Sequence, residues 1–134
     1  VASHVRSHLV AGHQSYWRQL YQEGIQVGTL PAWCLQGRYQ VLVSPEPGWV
    51  WLAYETAFLE QVKEAKQGFT GQDWLIFHEN LVRSGKVHLV PTPLLGEKGR
   101  ARLLPEICQS FLRLWQWQGY LAFDQDWELY RVVS

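Results

Sequence analysis

Apolar residues recur at helical spacing from Ser3 to Glu23, where Val5, Leu9, Tyr16, Trp17, Leu20 and Tyr21 share one side and Gly24 stands where a helix would stop. The pattern predicts a first amphipathic helix. The next stretch, IQVGTLPAWCLQG, is punctuated by Gly28, Pro31 and Gly37, which predicts a connector with at most one short strand, pinned to the core by Trp33 and Leu35. In RYQVLVSPEPGWVWLAY two β-rich runs flank PEPG, whose prolines lack a ladder N–H and whose glycine accommodates a turn. A hairpin is the preferred reading. The alternative begins a helix at Trp49 to Leu52, with Ser44 as its cap and Pro45 in its first position.

From Glu55 onward the period is helical, with Phe58, Leu59, Val62 and Ala65 on one face, Glu60, Lys63, Glu64 and Lys66 opposite, and Gly68 at the end. TGQDWLIFHENLVRSG opens on Thr70 with Asp73 three residues later, the order of a capping box. It then carries Trp74, Leu75, His78, Leu81 and Val82 on one side before Gly85. KVHLVPTPLL alternates at Val87 and Leu89 and reads as a strand that its prolines confine to an edge or an end. GEKGRAR reads as a flexible basic loop. Pro105 and Glu106 suit the first turn of a last helix running through Ile107, Cys108, Phe111, Leu112 and Trp115 to a stop near Gly119. The tail YLAFDQDWELYRVV is apolar on both sides of DQD and predicts a second hairpin. The sum is an α+β fold. Residues 1–134 are expected to form one globular domain, with about four helices packed on a small, mostly antiparallel sheet with two hairpins.

Composition agrees with that size of object: 134 residues, 47% of them hydrophobic, suffice for one core without staples. Lys plus Arg and Asp plus Glu are both 12, so no global field steers the chain toward nucleic acid or acidic lipid. Cys34 and Cys108 are too few for a disulfide framework and have no zinc-type spacing, so a reducing, cytoplasmic setting is the simplest reading. No run of about 18 apolar residues occurs, which excludes a membrane-spanning helix. The first residues lack the apolar block of a signal peptide. With no Met, not even an initiator, the sequence is read as processed or as a piece of something longer.

Little in the sequence suggests catalysis. His4 and His8 stand one helical turn apart with His13 nearby, but the zincin position beside the first histidine is Val5 and no closed ligand set accompanies them. No metal or cofactor is expected. Cys34 lies in PAWCLQG, whose flanks supply no charge to lower its pKa, and no Gly-x-Ser-x-Gly elbow occurs. Asp124, Asp126 and Glu128 flank a turn, where such residues are favoured for backbone reasons. His78 and His88 sit among apolar residues as core or rim histidines. The one local positive concentration, Lys98, Arg100 and Arg102, precedes the Pro105 helix and is the candidate anion site, although it does not match a Walker A sequence.

The eight tryptophans carry the functional argument. On a strand Trp49 and Trp51 share a face; on a helix Trp115 and Trp117 are about 200° apart and cannot. Trp17, Trp74 and Trp115 are expected in the core, and Trp49, Trp51, Trp117 and Trp127 on a partner-binding surface. The expectation is a non-enzymatic interaction or assembly domain that binds a protein partner or a second copy of itself. The alternative is a nucleic-acid binder: a helix at 105–118 followed by a hairpin at 120–133 resembles in outline the recognition helix and wing of a winged-helix domain. Arg113, Gln116 and Gln118 would then lie near a groove and Arg131 on the wing.

Overall fold

The computed structural model describes residues 14–36, 39–90 and 96–133. Its helices are α1 (Gln14–Gln22), the short α2 (Ala32–Gln36), α3 (Gly48–Glu64), α4 (Gly71–Arg83) and α5 (Gly96–Trp117). A 3-10 turn at Val27–Thr29 precedes α2, and one antiparallel hairpin, β1 (Leu121–Asp124) and β2 (Leu129–Val132), closes the chain. The fold is therefore mostly helical, with one hairpin among the described residues and not two.

The first expected hairpin is the largest correction. Every residue from Gly48 to Thr56 is buried, Trp49 and Trp51 included, so the run is apolar on all sides because the core surrounds it on all sides. A helix satisfies its own backbone groups within such a dry environment, and a short apolar run cannot signal by its period which state it takes. The alternative reading also placed the entry too early. Pro47, not Ser44, is the cap residue, and the Ser44 hydroxyl accepts from Glu46 N at 3.2 Å and Trp51 Nε1 at 3.2 Å. Residues 39–47 form a strap alongside this helix entry, held by the Gly48 N–H to Tyr39 carbonyl bond at 3.0 Å.

Three smaller corrections follow the same logic. The expected strand in the 26–36 connector is the 3-10 turn and α2. Residues 86–90 form no strand, since Val90 N–H donates to Val43 O at 2.6 Å and His88 N–H to the Glu46 carboxylate at 2.5 Å. GEKGRAR is helix, not loop: Glu, Lys, Arg and Ala are good helix formers, and α5 absorbs Pro105 in its interior. Helix α3 ends at Glu64, with Lys66 at positive φ, ahead of the expected stop at Gly68. The Thr70–Asp73 capping box is present in both directions, and Gly24, Gly85 and Gly119 end their helices at positive φ. The expected first helix is seen from Gln14, while Ser3 to His13, with His4, His8 and His13, lie outside the described residues.

One core cluster joins these elements, drawing Leu20 from α1, Val50 and Trp51 from α3, Trp74 from α4, Leu112 and Trp115 from α5, and Leu121 from β1. Within the hairpin Phe123 pairs with Tyr130, and Tyr130 also exchanges both backbone bonds with Phe69 on its other side. That bridge ties the hairpin to the α3–α4 connection.

Candidate functional site: an apolar groove beside α5

Helix α5 carries two apolar faces. Cys108, Phe111, Leu112 and Trp115 point into the core, and Trp115 and Trp117 are 1% and 80% exposed, as their spacing on a helix predicts. A second stripe, Leu103, Ile107, Ser110, Leu114 and Trp117, advances by alternate steps of four and three and stays within about 80° of the helix circumference. The strap at residues 39–43 only partly covers it. Between strap and helix lies an open cleft of about 500 Å³, walled by Tyr39 to Val43 on one side and by Leu103, Ile107, Ser110 and Leu114 on the other, with Phe111 beneath. Leu42 is 88% exposed on its rim, and Trp117 follows one turn beyond Leu114. Gln118 donates to Tyr39 Oη at 3.3 Å and fastens that end of the strap to α5.

The strap is held from beneath by a buried carboxylate. Glu46 accepts from the Ser44 hydroxyl at 3.0 Å, and from the backbone N–H and Nδ1 of His88, the latter at 2.9 Å. One side chain thus fixes residues 44 and 88 relative to each other. This arrangement can hold apolar surface. Among the described residues its lining includes no carboxylate, imidazole, thiol or cation.

The polar chemistry lies deeper. Glu55 on α3 and His78 on α4 are both fully buried, with Oε2 and Nε2 2.6 Å apart. His78 Nδ1 donates to Trp74 O at 2.7 Å, and Trp115 Nε1 donates to Glu55 Oε1 at 2.9 Å. Because a carbonyl can only accept, Nδ1 carries a hydrogen, and the Nε2–Oε2 contact then holds one proton between the two groups. Burial raises the Glu55 carboxyl, with His78 and Trp115 pulling against it. For His78 burial opposes the charge, but Cys108 and Glu55 override it and push the pKa up to about 10. Both directions say that the pair keeps its proton. Trp51 stacks on His78 at 6.3 Å and on Phe111 at 5.9 Å, which closes the site to solvent. It is a structural tie between helices α3, α4 and α5.

Of the residues singled out as a partner surface, Trp49 and Trp51 are 7% and 0% exposed and are core, because the protein surrounds the first turns of α3 on all sides. Trp117 is exposed one turn beyond the groove residue Leu114, and Trp127, 71% exposed, is in the hairpin turn. Trp74 is core as expected, and Trp17 is half-buried, stacked on Tyr21 at 5.7 Å. Lys98 and Arg102 lie one turn apart on an exposed helix face, not in a glycine loop cradling an anion; the Arg100 side chain lies outside the described part. Among the described residues no three His, Cys, Asp or Glu gather as metal ligands. Asp124 Oδ1 accepts from the backbone of Asp126 and Trp127, the turn role expected of it.

Cys34 is fully buried, and burial first, then the Glu55 charge, pushes its pKa up to about 12. A thiol reagent at pH 7 is therefore expected to label it no faster than the chain unfolds. Mass spectrometry of the native protein checks this, and rapid labelling would contradict the burial. The sequence reading missed Glu46 and Glu55. A single carboxylate inside each apolar stretch, with His78 on an apolar helix face, was the available signal, since a buried charge needs a partner.

No helix among the described residues is long and apolar enough to cross a membrane. No family model, curated protein or solved structure matches this chain.

Proposed function

We propose that this chain is a non-enzymatic interaction domain that holds a protein partner in the apolar groove between the strap and α5. The observation that carries the reading is the exposure of two large side chains, Leu42 at 88% on the groove wall and Trp117 at 80% one turn beyond the groove residue Leu114. Tryptophan combines a large apolar area with few rotatable bonds, which suits it to the centre of an interface. Trp127 in the hairpin turn is a separate exposed anchor. The two free, buried cysteines support a reducing, cytoplasmic setting. The winged-helix alternative has its helix and hairpin, but Arg131 donates to Asp124 at 3.1 Å and Gln118 is bound to Tyr39. The turn presents Asp126 and Glu128, which repel phosphates, so these contacts favour a protein partner.

The test is photo-crosslinking in cells from a diazirine side chain placed at Leu42 or Trp117, with Glu79 on the exposed side of α4 as control. Protein adducts at the groove positions and none at the control are expected. Equal adducts at all positions, or none, would sink the reading.

A further inference from the structure

We infer that the occupant of the groove is a second copy of this chain, bound through an antiparallel pairing of α5 with its symmetry mate about an axis at Ser110. The inference rests on the reading of the groove as a protein-binding surface and names the partner. The spacing of Leu103, Ile107, Ser110, Leu114 and Trp117 is that of a heptad seam, in which two helices share one apolar edge. The seam is also nearly its own mirror about Ser110. Leu103 and Trp117 lie seven residues before and after it, and Ile107 and Leu114 lie three before and four after. A two-fold axis therefore sets Leu103 against the other copy's Trp117 and Ile107 against its Leu114, over a stripe roughly 21 Å long. Ser110 is the smallest member of the seam and stands where the helices come closest.

Charge selects the same register. Glu106 and Arg113 lie beside the seam, four residues before and three after Ser110, and both are exposed. The ion pairs of His78 with Glu55, Lys86 with Glu23, His88 with Glu46 and Arg131 with Asp124 use neither Glu106 nor Arg113 among the described residues. In an antiparallel helix pair, flanking residues of this kind face their own type of position across the axis. Glu106 of one copy then meets Arg113 of the other, and the symmetry makes the contact twice. A parallel pairing would set Glu106 against the other copy's Phe111 and Arg113 against its Gln118, five residues on in each case, and would leave both charges without a partner. The exposed Leu42 lies on the opposite wall and is covered by the same event.

Sedimentation velocity of the full chain is expected to show a concentration-dependent dimer. Glu106→Arg and Arg113→Glu should each weaken it at least about tenfold, and the double reversal should restore it. Ser110→Cys should give a covalent dimer under mild oxidation, since Cys34 and Cys108 are buried and do not compete. A strict monomer up to about 200 μM, with groove crosslinks to a different protein, overturns the second copy and leaves the interaction reading standing. Absence of any groove adduct removes both. A dimer indifferent to the single reversals, not recovered by the double one, or never linked through Ser110→Cys overturns the antiparallel register.

Discussion

Glu55→Leu is expected to lower the unfolding free energy by about 4 kcal/mol, whereas Glu55→Gln should cost about 1 kcal/mol. The difference follows from the proton count of the buried pair. Leucine leaves His78 Nε2 and Trp115 Nε1 without partners in a site that water does not reach. Glutamine replaces both contacts: its carbonyl accepts from Trp115, and its amide donates to Nε2 of a neutral ring whose hydrogen stays on Nδ1 toward Trp74 O. The Nδ1 bond is what makes this tautomer available. Urea unfolding followed by circular dichroism measures both variants, and equal losses would refute the single-proton description.

The same pair gives the protein a pH dependence of known sign. Unfolded, the histidine loses its proton near its ordinary value of 6.5, while the folded pair holds on until about 10. Above pH 6.5 the folded state thus binds one more proton than the unfolded state, and stability falls as pH rises. One proton corresponds to about 1.4 kcal/mol per pH unit. The clean window runs from pH 6.5 to roughly 8.5, below the ordinary ranges of the Cys34 thiol and the Tyr54 hydroxyl, both of which burial raises further. Glu55→Gln should be flat across that window, because it has no shared proton to lose.

These two residues also show what was legible in the chain. Helix α4 was readable because its capping box, its apolar side and its terminal glycine all act within one element. The closing hairpin was readable because its turn residues bond their own backbone. Trp115 and Trp117 were assigned correctly because helical geometry alone separates them. Residues 47–54 were not readable, since a segment buried on every side has no polar face to reveal its period. The basic run before Pro105 misled for the opposite reason: glycine and proline suggest a break, yet the surrounding residues favour helix and the loss of one N–H is tolerable. The groove needed both failures to be corrected, because one wall follows from the helix at Gly48 and the other from the extension of α5 back to Gly96.

Gly48→Ala provides the second large effect and tests that geometry directly. Alanine is the better helix residue by about 1 kcal/mol, so propensity alone predicts stabilisation. A Cβ at this position, however, would lie 2.0 Å from Tyr39 O and 2.5 Å from its carbonyl carbon. Those are backbone atoms that cannot rotate aside, and the strap must shift at a cost of about 3 kcal/mol. The clash outweighs the propensity, and a net loss of about 2 kcal/mol is expected. Gly71→Ala is the control: nothing lies within 4 Å of its added Cβ, its φ is not positive, and it should be neutral or stabilising by about 0.5 kcal/mol. Thermal unfolding distinguishes the two, and a Gly48→Ala protein as stable as the parent would mean that the strap does not close on α3 as described. Because Tyr39 to Val43 form one wall of the groove, the same substitution should also reduce crosslinking from Leu42, while Gly71→Ala leaves it unchanged. Loss of stability without loss of crosslinking would separate the strap's structural role from its place in the groove.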